Sequence, residues 1–426
     1  MTDAPRLLTI MGSGETAPTL ARIHRAILER LGPGPVPAVL IDTPYGFQEN
    51  ADDISARTVD YFRESVGADV AIASLRSAGG DPRARATAVA RIRAARYVFS
   101  GPGSPSYALR LWGDSEIPGL LADKLATGGA ITFASAAALT LGVATIPVYE
   151  IYKAGEPPHW LEGLDLLSVF GLRVAVVPHY DNAEGGNHDT RFCYLGERRL
   201  EAMERDLPEG TFVLGVDSHT ALTLDAGLGT AEVGGLGGVT VRAAGRSTFF
   251  PSGSAVRIAE LLEAARQPGA RATGPTAFGA GGPAPTEAGR DGLGDVVARC
   301  EAEFDAGLEE REAARCVRAI LELEQAVVEW SRDTGVAPGF ERARTLLRSL
   351  VVRLGEVARG GVRDPREAVE PFVDALLDMR VRARSAQDWA TADLIRDRLV
   401  GSGIEVHDTP EGTSWDVTEA APPAES

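Results

Sequence analysis

Short apolar runs, each closed by Gly, Pro or Asp and followed by a longer stretch of helical character, recur from the start of the chain: LLTIM at 7–11, AVLI at 38–41, DVAIASL at 69–75, YVFS at 97–100 and AITF at 130–133. A strand that is buried on both faces is apolar throughout, and a parallel neighbour is reached only through a crossover, so this alternation predicts a mostly parallel sheet with flanking helices. VAVV at 174–177 and FVLGV at 212–216 are expected to continue the same sheet. TALTL, AEV, VTV and STFF then follow too closely for helices between them, which predicts an antiparallel edge.

The pattern stops near residue 266. Residues 267–294 hold 8 Gly, 4 Pro and 6 Ala in 28 positions, with too little large apolar surface to offset the entropy of ordering, and read as a linker. Beyond it, apolar positions fall at helical spacing, as at Leu346, Leu350 and Leu354 and at Trp389, Ala392, Ile395 and Leu399, which predicts a small all-α bundle over 295–417. The expected organisation is thus an α/β domain over 1–266, the linker, the helical module and a disordered tail at 418–426.

Charge narrows the choice of partner. The formal charge is −17, with 41 Arg and only Lys124 and Lys153 on the basic side, which disfavours broad nucleic-acid affinity. Cys193, Cys300 and Cys316 have neither metal-site spacing nor an even number for disulfides, so a reducing cytoplasm is expected. The opening MTDAPRLLTIMGSGE lacks a basic n-region and cleavage site, and no apolar run reaches membrane-spanning length.

Ser135 follows AITF and opens a run of small residues, Ala136 to Ala138, that suits a helix start. A serine at a strand-to-helix turn is held exposed, with free backbone N–H groups beside it; a helix cap uses serine at the same place. Local sequence leaves both readings open.

The order of motifs around it resembles the cyanophycinase and aspartyl dipeptidase family of serine peptidases, a branch of the class I glutamine amidotransferase-like fold. The resemblance spans about 6–265 and rests on MGSGE (11–15), SGPGSPSYAL (100–109), FASAAAL (133–139), PHY (178–180) with Arg191, Arg198 and Arg199 after it, and GVDSHTAL (215–222). It implies Ser135 as nucleophile, His179 as general base, and the N–H groups of Gly103 and Ala136 as the oxyanion hole. Glu15 would line the substrate cleft. Three positions depart from the pattern: Phe133 and Ala137 replace smaller residues and would crowd the elbow, and Ser218 stands where the family has its acid. Asp217 is next to it, though on an extended segment it points to the opposite face; Asp181 and Glu184 are nearer His179 in sequence.

His219 and His188 are auxiliary candidates, while His24 and His407 read as structural. A metal set of His179, His188, Asp181 and Asp189 is conceivable from spacing alone, but the resemblance argues for no metal and no cofactor. Gly12-Ser13-Gly14 lacks the third glycine of a dinucleotide loop and reads as a tight turn.

The stretch RVRARSAQDWATADLIRDRLVGSGIEVHDTPEGTSWDV, 380–417, resembles the C-terminal helical region of cysteinyl-tRNA synthetase. That resemblance implies tRNA contact; 17 Arg against 24 acidic residues over 296–416 oppose it, leaving a packing or dimerisation module, with a homodimer as the commonest closed assembly. Arg380, Arg382, Arg384, Arg396 and Arg398 make a small basic patch that Asp393 and Asp397 interrupt. The synthetase's nucleotide motifs are absent, so aminoacylation is not expected. The leading expectation is a serine hydrolase that cuts an amide in a small or acidic peptide; a degenerate ligand-binding domain and a tRNA-associated protein stand beside it.

Overall fold

The computed structural model describes residues 4–183, 188–267, 292–330, 339–360, 365–409 and 412–417. Glu184, nearly all of the expected linker and the expected tail lie outside the described residues. The chain divides into two compact units, Met1–Val296 with Gln325–Glu341, and Val297–Glu324 with Arg342–Ser426.

In the first unit, strands β1 (Arg6–Met11), β2 (Ala38–Ile41), β3 (Val70–Ala73), β4 (Tyr97–Ser100) and β5 (Gly129–Ala134) alternate with helices α1 (Pro18–Leu31), α2 (Ala51–Tyr61), α3 (Pro82–Ala94), α4 (Pro105–Trp112) and α5 (Ile117–Thr127). After the short helix α6 (Ser135–Leu139) come β6 (Ala144–Thr145), α7 (Val148–Tyr152), β7 (Leu161–Glu162), β8 (Val174–Val177), α8 (Glu197–Arg205) and β9 (Phe212–Val216). The remaining strands β10 (Thr220–Asp225), β11 (Thr230–Gly235), β12 (Gly238–Ala243), β13 (Arg246–Pro251) and β14 (Ala255–Arg257) precede α9 (Ile258–Arg266).

The architecture is α/β, as the alternation predicts, and the parallel order β3-β2-β4-β5-β1 carries an antiparallel flank β10-β11-β14. One expectation is corrected. VAVV and FVLGV do not extend this sheet; as β8 and β9 they build a second one, ordered β13-β12-β9-β8-β6-β7. A strand apolar on both faces is equally suited to either arrangement, because periodicity reports burial and not which sheet supplies the cover.

The period of two along each strand divides the interior. Leu7 and Met11 of β1, Tyr97 and Phe99 of β4, and Ala130 and Ala134 of β5 face α1, where Leu20, Ile27 and Leu31 close the layer. The alternate residues Leu8, Ile10, Val98, Ile131 and Phe133 enter a second core shared with Val174, Val176, Leu214 and Val216 of the other sheet and with α3, α4 and α5. The two sheets are therefore bonded by dispersion and apolar burial through one continuous interior. His24 sits inside the first layer, bonded to the Tyr97 hydroxyl (2.7 Å) and to the Glu15 carbonyl (2.8 Å), and burial lowers its pKa to about 4. It is structural, and neutral at ordinary pH.

The helices that follow are α10 (Leu293–Glu309), α11 (Ala313–Trp330), α12 (Phe340–Gly360), α13 (Pro365–Ser385) and α14 (Trp389–Gly401), then the hairpin β15 (Ile404–Thr409) and β16 (Gly412–Val417); the second unit takes α10 and α11 only over Val297–Glu324, and then the chain from Arg342 onward. The Asp388 carboxylate caps α14 by accepting from the N–H of Thr391, and Gly403, at φ +78°, turns the chain into the hairpin. Val373, Leu377, Leu399, Ile404, Val406 and Trp415 pack together, and the Trp415 indole donates to Asp374 (3.2 Å). Trp389, expected on the buried face, is 58% exposed. It is the first residue of α14, and a helical side chain leans toward the N-terminus, so its ring projects past the last packed turn. Among the described residues no helix is long and apolar enough to cross a membrane, and the three cysteines are unpaired and buried.

Phe133 is fully buried with its ring 5.6 Å from that of Trp112, so its side chain fills the shared core and does not enter the turn after β5. Phe133→Ala should cost the first unit about 3–5 kcal/mol, read as a lower urea midpoint with an unchanged slope. A loss below about 1 kcal/mol would show that the core collapses around the gap.

Candidate active site

Ser135 sits where β5 ends. Ala134 is still extended (φ −124°, ψ 151°), Ser135 turns to φ +48°, and α6 begins at once. A left-handed serine is a strained backbone state, worth roughly 1–3 kcal/mol, that the surrounding structure must hold in place. Here β5 is fixed on both sides by parallel pairing to β1 and β4.

His179 lies two residues beyond β8 and is left-handed as well, at φ +47°. Its Nε2 is 2.9 Å from Ser135 Oγ. The turn that carries it is held by backbone bonds: Tyr180 N–H donates to the Val216 carbonyl, and Asn182 and Cys193 N–H both donate to the His179 carbonyl. Phe192, Cys193 and Tyr194 are three consecutive left-handed residues, which bends this return segment under the histidine. The Tyr194 ring centroid is then 6.4 Å from His179 and 5.0 Å from Tyr152 on α7. Nothing in the residue spacing marks this aromatic wall, because it depends on backbone states that sequence periodicity does not report.

The return segment is clamped from below. Arg242, 4% exposed on β12, pairs with Glu197 Oε1 (2.6 Å) and Glu204 Oε2 (3.0 Å) of α8, with its guanidinium 5.6 Å from the Phe192 ring centroid. Asp189 forks onto Arg191 and accepts from the N–H of Glu197, contacts that hold its carboxyl well below the usual range.

Gly103 is on the loop after β4. At φ +131° its position suits glycine, and a Cβ there would overlap the carbonyl of Pro44. The same carbonyl accepts from Ser104 N–H (2.7 Å), and the Gly101 carbonyl accepts from Ala137 N–H (3.1 Å), which ties the loop to α6. Among the described residues no backbone acceptor takes the N–H of Gly103 or of Ala136.

Glu15 is 1% exposed, against Gly101. The Asp217 Oδ2 accepts from Gly238 N–H (2.8 Å), and Asp181 Oδ1 accepts from Ser218 N–H (2.7 Å). Burial, opposed by the Gly238 bond and helped by the charge of Asp181, pushes Asp217 up to about 6. His219, at φ +52°, bonds through Nδ1 to Thr19 Oγ1 (3.2 Å) and lies so close to Gly14 that a Cβ there would overlap its ring. His188 stacks on Tyr152 with centroids 6.4 Å apart. Among the described residues no group of three or more His, Cys, Asp or Glu is arranged to hold a metal ion. The structure thus brings Ser135 and His179 together, with the loop of Gly103 alongside. Asp181, Asp217 and His219 bond to Ser218, Gly238 and Thr19 respectively.

A cleft of about 460 Å³ opens beside this loop, between Ser104, α4 and α7. A larger one of about 680 Å³ lies at Gly32–Val36 and Val66–Asp69, before the N-terminal ends of β2 and β3. Ligands of open α/β sheets sit at the opposite, carboxyl ends of the strands, where Ser135 and His179 are.

Residues 366–415 match the family model described as cysteinyl-tRNA ligase anticodon binding domain, in line with the motif resemblance over 380–417. The cysteine–tRNA ligase of Chlorobium luteolum is 39% identical over 89 residues, covering 19% of this chain and 18% of that protein. That of Halorhodospira halophila is 44% identical over 91 residues, covering 20% and 19%. The chain thus spans about a fifth of the length of these curated relatives. Among solved structures, a peptidase from an acI-B1 Actinobacterium is 18% identical, covers 59% of this chain and 97% of that one, and has a TM-score of 0.48. In the helical unit Arg380 is buried at 4% exposure, which removes one member of the basic cluster expected there.

The raised Asp217 carboxyl has a consequence for stability. Its folded pKa near 6 exceeds the unfolded value of about 3.9, so between those values the folded chain holds a proton that the unfolded chain has released, and stability falls as pH rises through the window. Asp217→Asn keeps an acceptor for Gly238 without the charge. In urea melts it should stabilise the first unit by about 1–2 kcal/mol at pH 7.5 and by nearly nothing at pH 4. An offset that is the same at both pH values would contradict this.

Proposed function

We propose that the first unit is a serine-dependent amide hydrolase of the peptidase class, with Ser135 as nucleophile and His179 as general base. The observation that carries the reading is the 2.9 Å contact between Ser135 Oγ and His179 Nε2, with both residues held left-handed at strand ends. His179 accepts the hydroxyl proton as Oγ attacks the amide carbonyl, and the N–H groups of Gly103 and Ala136 stabilise the charge on the carbonyl oxygen. Collapse of the tetrahedral species returns that proton through His179 to the leaving amine. Water, deprotonated by the same imidazole, then hydrolyses the acyl-enzyme and frees Ser135.

The orienting acid comes from Asp217, Asp181 or Glu184. In a comparable triad, loss of the orienting carboxylate lowers kcat by about 10⁴ without displacing the histidine, so single Asn or Gln variants at the three positions identify it. No metal or cofactor enters the scheme.

A second reading concerns the helical unit. The anticodon-binding match over 366–415 favours RNA association, and the excess of acidic residues opposes it. A mobility shift of tRNA that weakens with salt would support it, and no shift at low salt would reject it.

Labelling with a serine-directed fluorophosphonate tests the leading reading. Wild type is expected to be modified at Ser135 at a rate that Ser135→Ala abolishes and His179→Ala lowers by at least about 10²-fold. Absence of labelling in the folded wild-type protein would turn the assignment to a ligand-binding domain without catalysis.

A further inference from the structure

The cleft of about 460 Å³ is within the size range of small-ligand sites, and its lining comes from segments next to the Gly103 loop and next to the aromatic wall beside His179. Ser104, in its wall, follows Gly103 directly. On the other side Tyr149, Glu150 and Lys153 come from α7 and the residue after it, the helix whose Tyr152 contacts Tyr194 in the wall beside His179.

Its chemistry is specific. Three rings from three segments line it: Phe47 and Tyr107 are 5.1 Å apart at 50°, and Tyr149 faces from α7. Two cations stand over those rings, Arg110 at 4.9 Å from the Tyr107 centroid and Lys153 at 5.2 Å from that of Tyr149. Such contacts hold a cation in place while leaving its N–H groups for an anion. Neither Arg110 nor Lys153 has a carboxylate partner among the described residues, and Lys153 does not pair with Glu150 three positions away on the same wall. With Glu150 counted, the wall carries one net positive charge.

We propose that this cleft binds the C-terminal residue of a peptide, an aromatic one, through its free carboxylate, with Arg110 and Lys153 as the anion site and Phe47, Tyr107 and Tyr149 as the platform for the side chain. The inference rests on the hydrolase reading for its consequence: a residue that ends in a free carboxylate next to the scissile carbonyl belongs to the leaving amine, so the enzyme releases that residue from the end of a chain. One net charge matches one carboxylate. It does not match the two of a C-terminal aspartate, so the leaving side selects a flat apolar residue, in contrast to the acidic peptide that the motifs imply.

Binding is measured by titration calorimetry on the full chain carrying Ser135→Ala, with N-acetylphenylalanine, its amide, N-acetylalanine and N-acetylaspartate as probes. N-acetylphenylalanine is expected to bind at least about tenfold more tightly than each of the other three, the amide isolating the charge and the alanine isolating the ring. Adding Arg110→Met and Lys153→Met together should erase the difference between acid and amide while an unchanged circular dichroism spectrum shows the fold intact. Equal binding of acid and amide, or a difference that survives both substitutions, would overturn the proposal. Because the readout needs no turnover, binding without Ser135 labelling in the wild type sinks the hydrolase alone, and labelling without binding sinks the cleft alone.

Discussion

The contact between Ser135 and His179 joins two sheets. Ser135 is at the end of β5 in the larger sheet and His179 just beyond β8 in the smaller one, so no single ladder of backbone bonds sets the distance between them. What sets it is the core between the sheets, where Ile131 and Phe133 under the serine belong to the same packed cluster as Val174 and Val176 before the histidine. Close-packed interiors transmit displacement, so the geometry of the reacting pair depends on side-chain volumes that make no contact with a substrate.

Backbone strain is concentrated at the same level of the molecule. Ser135, His179, Phe192, Cys193, Tyr194 and His219 are all left-handed, and each is stabilised by a bond or packing contact from a neighbouring turn. Three aspartates near the site serve the turns: Asp181 accepts from Ser218 N–H, Asp217 from Gly238 N–H and Asp189 from Glu197 N–H. For Asp181 and Asp189 the charge itself helps, because a charge-assisted bond to a backbone N–H is stronger than a neutral one, whereas burial of Asp217 opposes its charge and its bond to Gly238 holds the turn at a cost.

Much of this was legible in the residues. The alternation of apolar runs with helical stretches led to the parallel core, and FASAAAL and PHY led to the two residues found 2.9 Å apart. The second sheet was not legible, because VAVV and FVLGV look the same whether a helix layer or another sheet covers them. Nor was the aromatic pair Tyr152–Tyr194 or the clamp of Arg242, since an arginine at an alternate position of a strand ordinarily reads as solvent-facing. Phe133 is the instructive case: judged against a motif it looked obstructive, yet the period of two along β5 turns its ring into the core and away from the serine.

The place of β1 in the larger sheet bears on how the chain is made. β1 precedes its two partners in the chain and is central, parallel to β5 on one edge and antiparallel to β10 on the other, with the Thr9 and Thr223 hydroxyls bonded 214 positions apart. A ribosome delivers β5 well before β10. Until then one edge of β1 has no strand to pair with, and closing so long a loop is slow. The nascent α/β unit is thus exposed to mispairing along β1 for that whole interval, and chaperone demand during translation should fall with the arrival of Thr220–Asp225.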